Sequence, residues 1–165
     1  MIRFCTIRDV KKPERELGNA GIDIFIPNYS DSFKDELNEK NDIGLAWADE
    51  DKLYLQPFGR ILIPAGLKSS FDINVALEAA NKSGIATKTG LIVGAQVIDA
   101  SYQGEIHISL INTTGSVVEL DYGQKVVQLI PRRINVEEIE VTDNPKGFYA
   151  TVTKRGSGGF GSTGI

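Results

Sequence analysis

The strongest chemical signal in this sequence is the glycine-rich segment of residues 155–164. Five of its ten residues are glycine, so the backbone N–H groups can approach an anion closely. The other residues supply three hydroxyl groups, the guanidinium of Arg155 and the aromatic ring of Phe160. Such donors suit an oxygen-rich anion, and the ring would lie flat against an apolar group beside it. We expect this segment to be mobile when empty and to be ordered by a ligand.

The familiar glycine-rich nucleotide loops do not explain residues 155–164. A phosphate loop of the nucleoside-triphosphatase type needs a lysine before its Ser or Thr and a helix after it. A dinucleotide-binding turn also opens a helix. The segment has no such lysine and is followed by Ile165 alone, so we expect it to close over a site built elsewhere. A plain linker is the alternative, although linkers carry Ser and Gly without Arg or Phe.

A second candidate is the turn that carries Asp99 and Tyr102. Asp99 directly follows the apolar residues Val97 and Ile98, where partial burial would raise its pKa towards that of a useful general base. The alternative is structural, because aspartate at a hairpin is more often only a turn residue. Tyr102 taken alone would usually be ordinary packing.

Two further segments carry polar groups at turns. In residues 81–86, Ser83 and Gly84 could offer a hydroxyl and backbone N–H groups to phosphate oxygens, and Lys82 could add a cation. Gln128 lies among apolar residues of a predicted strand and must find polar partners if it is buried.

The ionisable residues give little support for a resident metal. Asp23 lies in an apolar strand, where such a group usually makes a structural hydrogen bond and occasionally holds a metal's water shell. The single histidine, His107, is predicted to lie on the solvent-side face of a strand, without a catalytic or metal role. The single Cys5 excludes an internal disulfide and a four-cysteine zinc site.

The overall composition is that of one globular domain of 165 residues with a net charge of −4, which disfavours nucleic acid as a partner. Residues 28–52 carry −5 of that charge, so an acidic insert interrupts a nearly neutral body. No apolar stretch approaches the roughly 20 residues that span a bilayer, and residues 1–4 do not resemble a signal peptide. We therefore expect no membrane partner and a cytoplasmic location.

Most of the chain is predicted to form short strands, because apolar and polar residues alternate between turn residues. The predicted strands are residues 2–7, 22–26, 52–56, 60–63, 66–71, 104–112, 116–120 and 126–133. Residues 73–80 are ambiguous between strand and helix, and the flanking turns favour strand. In the insert, Phe33 and Leu37 lie four residues apart behind Ser32, which predicts a short surface helix that begins at this serine.

The order and spacing of five segments resemble the homotrimeric dUTP pyrophosphatases (dUTPases), which carry five short motifs. The matching segments are residues 20–25, 81–86, 94–105, 123–130 and 155–164. The resemblance implies an all-β, jelly-roll-like β-barrel (the dUTPase-like β-clip) over residues 1–154, with a helical acidic insert at about 28–51. Residues 155–165 would form a flexible arm that closes over a site of neighbouring subunits.

The resemblance also implies the reaction, in which dUTP is hydrolysed to dUMP and pyrophosphate with Mg²⁺ bound to the triphosphate. Asp99 would be the general base, Tyr102 would pack against deoxyribose, and Asp23 would contact the metal through water. The uracil edge would be read by the hairpin backbone at Gly94, Val97, Ile98 and Gly104. The phosphates would be bound by Lys82, Ser83, Gly84 and Gln128. The arm would contribute Arg155, Ser157, Gly158, Gly159, Phe160, Gly161, Ser162 and Thr163, with Phe160 stacked over uracil.

The chain also departs from the family pattern. Lys82 replaces an arginine, which keeps the charge but loses the bidentate fork. Gln96 replaces a small glycine, and the remaining departures lie at Ser101, Gln103, Gln124 and Lys125. Two alternatives stay open. One is a dCTP deaminase of the same fold, and the other is a nucleotide-gated regulatory protein that uses the acidic insert on a protein partner.

Overall fold

The structure, a computed structural model, describes residues 1–49, 52–151 and 153–158. These residues form mostly short strands. The strands are β1 (Arg3–Thr6), β2 (Ile22–Phe25), β3 (Ala46–Ala48), β4 (Lys52–Leu55), β5 (Arg60–Pro64), β6 (Leu67–Ser70), β7 (Val75–Asn81), β8 (Leu91–Val93), β9 (Val97–Ile98), β10 (His107–Asn112), β11 (Val118–Asp121) and β12 (Lys125–Arg133). The helices are α1 (Asp31–Lys40) and α2 (Ser83–Thr89).

The strands are divided among four antiparallel sheets, with the orders β1-β6, β5-β10-β8, β11-β4-β3 and β2-β12-β7-β9. The predicted all-β class is confirmed, and so is strand rather than helix for residues 73–80, most of which lie in β7. Within the described residues the four sheets end in separate edge strands and are not closed into a barrel. One edge is covered by a side chain: the Asn41 amide accepts from Leu62 N at 2.7 Å and donates to Leu62 O at 2.9 Å beside β5.

The hydrophobic core is one cluster, to which β4, β10 and β11 contribute alternate residues. In β10, Ile108, Leu110 and Asn112 are buried while the residues between them are half-buried. Asn112 is fully buried, and its side chain donates to the carbonyl oxygens of Leu55, Gln56 and Ser116. A buried amide is tolerated here because its hydrogen-bonding groups have partners.

The predicted helix of the acidic insert is confirmed as α1, with one correction at its start. The N-cap is Ser30, not Ser32, because the Ser30 hydroxyl accepts from the backbone N–H of Phe33. Phe33 and Leu37 are both 0% exposed and join the main core cluster. The insert therefore contributes to the core and is not a surface appendage.

The second helix, α2, was not expected, because its Ser-Gly start was interpreted as a corner. It holds seven residues, and the hydroxyls of Thr87 and Thr89 donate to the carbonyls of Ser83 and Ile85 within it. Gly90 ends the helix in a left-handed conformation with φ 69°. A methyl group at this glycine would lie 2.3 Å from Thr114 Cγ2, so space as well as backbone requires glycine.

The contacts divide the chain into two units, residues 1–135 and 136–165. All the strands and helices named above belong to the first unit. The described residues of the second contain turns and extended chain, with Ile139, Val141 and Tyr149 largely exposed. The predicted boundary between residues 154 and 155 stays a prediction. Within the described part of the chain, no helix is long and apolar enough to cross a membrane.

The burial of α1 can be tested with one pair of leucines. Leu37→Ala should lower the free energy of unfolding by about 2–5 kcal/mol, because it leaves a cavity in the core. Leu17→Ala is the matched control, since Leu17 is fully exposed and its loss should change stability by less than about 0.5 kcal/mol. Urea titration measures both values, and equal midpoints for the two variants would mean that α1 is not part of the core.

Candidate functional site

The sheet β2-β12-β7-β9 brings together four of the five segments that the sequence singled out. β12 pairs with β2 on one side and β7 on the other, so Gln128 lies opposite both Asp23 and Ala80. β9 pairs with β7 through Val97 and Glu78. Residues 20–25, 81–86, 94–105 and 123–130, which are distant in sequence, therefore meet on one sheet.

The hairpin of residues 94–105 presents Asp99 at its turn. The Tyr102 backbone N–H donates to the Asp99 carbonyl at 3.1 Å, which closes the predicted turn after β9. The Asp99 side chain is exposed in this single chain. The single chain therefore does not give it the partial burial that the sequence predicts.

Tyr102 lies directly over a glycine at the end of the same hairpin. Its hydroxyl donates to the Glu105 carbonyl at 2.7 Å, and a methyl group on Gly104 would lie 2.4 Å from that hydroxyl oxygen. Gly94 is crowded in the same way, because a methyl group there would lie 2.7 Å from Ser109 Oγ. The glycines at both ends of the hairpin thus permit close approach. Tyr102 itself is 45% exposed, so part of its side chain is accessible to a ligand.

A small cavity of about 50 Å³ lies between the hairpin and the core, lined by Gln96, Ile98, Val127 and Leu129 among others. Binding pockets for small molecules usually measure roughly 300–1,000 Å³. This cavity alone therefore cannot hold a nucleotide. Val97 of β9 is 68% exposed, so the outer surface of the hairpin is available to a ligand or a neighbouring chain.

Residues 81–86 run from the end of β7 into α2, and Asn81 makes two hydrogen bonds there. The side chain of Asn81 accepts from Val93 N at 2.7 Å, and its carbonyl accepts from Gln128 Nε2 at 2.9 Å. Gln128, which is half-buried, thus has a polar partner for its side-chain amide. Ser83 and Gly84 are exposed at the start of α2, and nothing lies within 4 Å of a methyl group added to Gly84.

Asp23 is held by two lysines from the neighbouring segments. Lys82 Nζ donates to its Oδ1, and Lys125 Nζ lies 3.3 Å from its Oδ2 and 2.5 Å from Glu14 Oε1. Burial alone would raise the pKa of Asp23, but the hydrogen bonds from Lys82 and Lys125 outweigh it and hold the pKa below its ordinary value.

These contacts leave Asp23 poorly suited to a resident metal ion, because two ammonium groups already satisfy its carboxylate. Within the residues described, no three His, Cys, Asp or Glu side chains come together as a metal site. Hard cations such as Mg²⁺ need several oxygen ligands. Any such ion would have to bring most of its ligands with it.

Only the beginning of the fifth segment can be described. Arg155 and Ser157 are exposed, and Arg155 Nε donates to the Gly158 carbonyl at 2.8 Å across a turn. The predicted site residues Gly159, Phe160, Gly161, Ser162 and Thr163 lie outside the described residues.

Sequence analysis missed one ionic cluster, which lies next to the hairpin. Arg8 donates to both carboxylate oxygens of Glu105 at 2.8 Å and also contacts Glu36 of α1. Gly66 N donates to Glu105 Oε1 at 2.7 Å. Burial alone would raise the pKa of Glu105, but the hydrogen bonds from Arg8 and Gly66 outweigh it and hold the pKa below its ordinary value. The hydrogen bond to Glu105 in turn raises the pKa of Arg8.

His107 faces this cluster and corrects one expectation. It belongs to the less buried face of β10, yet its side chain is only 19% exposed, because it faces Glu36 of α1. Its Nδ1 lies 2.9 Å from the Glu105 carbonyl, and its Nε2 lies 3.8 Å from Glu36 Oε1. At His107, the predicted solvent-side face of the strand therefore meets the insert.

Comparison with known proteins identifies the same family as the motifs do. A family model described as dUTPase matches residues 36–164. The deoxyuridine 5′-triphosphate nucleotidohydrolases of Yarrowia lipolytica and Solanum lycopersicum are 38% and 37% identical over 107 residues, or 65% of this chain. The chain spans 66% and 60% of these two proteins. The enzyme of Methylocella silvestris is 34% identical over 146 residues, or 87% of this chain and 86% of that protein.

Solved structures confirm the predicted jelly-roll-like, dUTPase-like fold. A mutant dUTPase of Staphylococcus bacteriophage 80alpha with dUpNHpp has a TM-score of 0.75 at 18% identity, covering 100% of this chain and 99% of that chain. A mutant dUTPase from phage phi11 of S. aureus, described with a structural Mg(II) ion, has a TM-score of 0.67 at 17% identity, covering 88% and 99%. At these identities the likeness concerns the fold alone.

The ion pairs of Asp23 predict a specific dependence of stability on pH. Its pKa is lower in the folded chain than the ordinary 3.8, so its stabilising contribution is complete above pH 3.8 and is lost as the pH falls through the folded pKa. Asp23→Asn should therefore flatten the acid limb of the unfolding free energy below pH 3.8. Asp143→Asn is the control, because Asp143 is exposed. Urea titrations over a pH series measure this, and parallel acid limbs for wild type and Asp23→Asn would contradict the pairing.

Proposed function

The chain belongs to the dUTPase family, and from that premise we propose that it hydrolyses dUTP to dUMP and pyrophosphate. The observation that carries the proposal is the meeting of four motif segments on the sheet around β12, with an exposed carboxylate at the hairpin turn. The match to curated nucleotidohydrolases favours this reaction over deamination of dCTP.

In the proposed mechanism Asp99 acts as the general base. Its carboxylate takes a proton from a water molecule, and the oxygen of that water attacks the α-phosphorus. The bond from the α-phosphorus to the bridging oxygen breaks, and pyrophosphate leaves with the electron pair. An exposed carboxylate at a tight turn can reach the water without moving the β-strands that hold it.

The hairpin would supply specificity for the deoxynucleoside. We assign the uracil edge to backbone groups at Gly94, Val97, Ile98 and Gly104, where glycines permit close approach. The exposed face of Tyr102 would pack against deoxyribose and leave no room for a 2′-hydroxyl. Its hydroxyl is already bound to the Glu105 carbonyl, which holds the ring in place.

The triphosphate would bind where the loop at residues 82–84 meets β12. Ser83 and Gly84 would donate to phosphate oxygens, and Gln128 would contact the phosphates and the attacking water. Lys82 donates to Asp23 in the structure and would turn its ammonium group to the triphosphate when the substrate binds.

We propose that Mg²⁺ enters with the triphosphate as part of the substrate. When bound, the ion neutralises charge on the phosphate oxygens. Release of Lys82 to the phosphates would leave the Asp23 carboxylate free to accept from the ion's water shell. Asp23 could therefore pair with lysine in the absence of substrate and contact the metal's water shell once the substrate is bound.

The complete site would need more than one subunit, and we propose a homotrimer with shared sites. The cavity beneath the hairpin is too small for a nucleotide, and Asp99 and Val97 are exposed in the single chain. Residues 155–165 would act as an arm that closes over a neighbouring subunit's site. Its proposed contacts to the triphosphate and uracil are Arg155, Ser157, Gly158, Gly159, Phe160, Gly161, Ser162 and Thr163. Excluding water would strengthen each electrostatic contact.

The products define the proposed role in the cell. Removing dUTP limits uracil incorporation into DNA, and the dUMP formed can supply thymidylate synthesis. Both roles fit a cytoplasmic enzyme. Within α1, a protein partner could meet the outer side of the helix, because Phe33 and Leu37 occupy the core.

The role of Asp99 has a direct test. Asp99→Asn should lower kcat for dUTP by about 10²–10⁴-fold, because the amide cannot accept the proton of the attacking water. Asp72→Asn is a control at another exposed aspartate outside the motif segments. Pyrophosphate release measures both, and turnover within a few-fold of wild type in Asp99→Asn would remove Asp99 from the mechanism.

The role of the arm is tested by truncation. A chain that ends at residue 154 should lose most of its dUTP hydrolysis, because the contacts that close the site are gone, while its unfolding free energy should change little. Pyrophosphate release and urea titration measure the two quantities. Full turnover in the shortened chain would exclude the arm from catalysis.

A further inference from the structure

The ionic cluster around Arg8 joins the acidic insert to the hairpin that carries Asp99 and Tyr102. We propose that Glu36 and Arg8 are positioning residues for Tyr102, and so for discrimination between deoxyribose and ribose. This inference rests on the proposed function, because it assumes that Tyr102 meets the sugar of the substrate.

The first link is the bond between Tyr102 and Glu105. The Tyr102 hydroxyl donates to the Glu105 carbonyl at 2.7 Å, so the position of that carbonyl determines where the ring lies. The ring also rests on Gly104, which offers no side chain to support it from below. Residue 105 is therefore the main support of the tyrosine at its polar end.

The second link holds Glu105 by its side chain. Two parallel hydrogen bonds from Arg8, each of 2.8 Å, bind the two carboxylate oxygens, and Gly66 N adds a third of 2.7 Å. The Glu105 side chain is only 10% exposed, so these bonds are poorly screened by water. Moving the Arg8 guanidinium would move Glu105 with it.

The third link determines where that guanidinium lies. Glu36 of α1 contacts Arg8 Nη2 through one carboxylate oxygen, and its other oxygen lies 3.7 Å from Lys40 Nζ and 3.8 Å from His107 Nε2. α1 is itself fixed by Phe33 and Leu37 in the core. The chain of contacts thus runs from a rigid helix through Arg8 and Glu105 to the tyrosine.

Through Glu36, the acidic insert would help to position Tyr102. Glu36 lies in a segment that none of the five motifs includes, and it does not touch the proposed substrate. Its loss should loosen Tyr102 without removing any group that binds phosphate or activates water. The expected consequence is weaker exclusion of the 2′-hydroxyl, with the chemistry itself largely retained.

The test compares Glu36→Ala with Glu39→Ala, a matched variant on the exposed side of the same helix. The measured quantity is kcat/KM for dUTP divided by kcat/KM for UTP. This ratio should fall about 3- to 10-fold in Glu36→Ala, as is typical for residues that act through a contact network, and should stay unchanged in Glu39→Ala. A merely structural role would lower both kcat/KM values by the same factor, because it reduces only the amount of folded enzyme.

A second measurement does not depend on catalysis. Hydrogen exchange of the peptide over residues 99–106 should be faster in Glu36→Ala than in wild type or Glu39→Ala, because the hairpin loses its anchor. Unchanged exchange together with an unchanged ratio would overturn the inference. If wild type hydrolyses neither nucleotide, the proposed function fails, and the exchange result alone decides whether Glu36 positions the hairpin.

A double-mutant cycle separates coupling from general loosening. Tyr102→Phe removes the hydroxyl that donates to Glu105, so Glu36→Ala should have little further effect on the ratio in that background. Fully additive effects of the two substitutions would show that Glu36 does not act through the Tyr102 hydroxyl and would overturn the inference.

Discussion

The arrangement of the candidate site depends on the pairing of β12 with two strands at once. A central antiparallel strand fixes the register of both neighbours, since a slip of one residue would turn every side chain to the opposite face. Because Gln128 lies between Asp23 and Ala80, the segments that contain β2, the end of β7 and the start of β12 meet at defined positions. The hairpin joins the same sheet through β9, so the proposed base and the proposed phosphate loop share one rigid support.

Two groups of paired charges lie in this part of the molecule. Lys82 and Lys125 neutralise Asp23, and Arg8 is shared by Glu105 and Glu36. The first group lies beside the proposed phosphate loop and would exchange partners when a triphosphate enters. The second group is more buried, and its geometry suits support rather than exchange. Under the proposed function, similar ion pairs would thus serve substrate binding in one group and rigidity in the other.

Sequence patterns predicted most strands because alternation of apolar and polar residues marks a half-buried strand directly. They missed β3 and β8, which have three residues each and are too short to show a period. They missed α2 because Ser, Gly and Thr favour turns locally and because the helix buries none of its residues, so it shows no apolar period. The spacing of Phe33 and Leu37 predicted the inward face of α1 but not what it would meet. Sequence patterns could not predict the Arg8 cluster, since Glu36 and Glu105 lie 28 and 97 positions from Arg8.

The central claim is that the sheet around β12 assembles a site in which the hairpin carboxylate directs water to the α-phosphorus of dUTP. Hydrolysis of dUTP by the purified chain in isotopically labelled water tests this most directly, because the phosphorus that is attacked keeps the label. The account predicts labelled oxygen in dUMP and none in pyrophosphate. Label in the pyrophosphate would place the attack at another phosphorus and would contradict the proposed geometry.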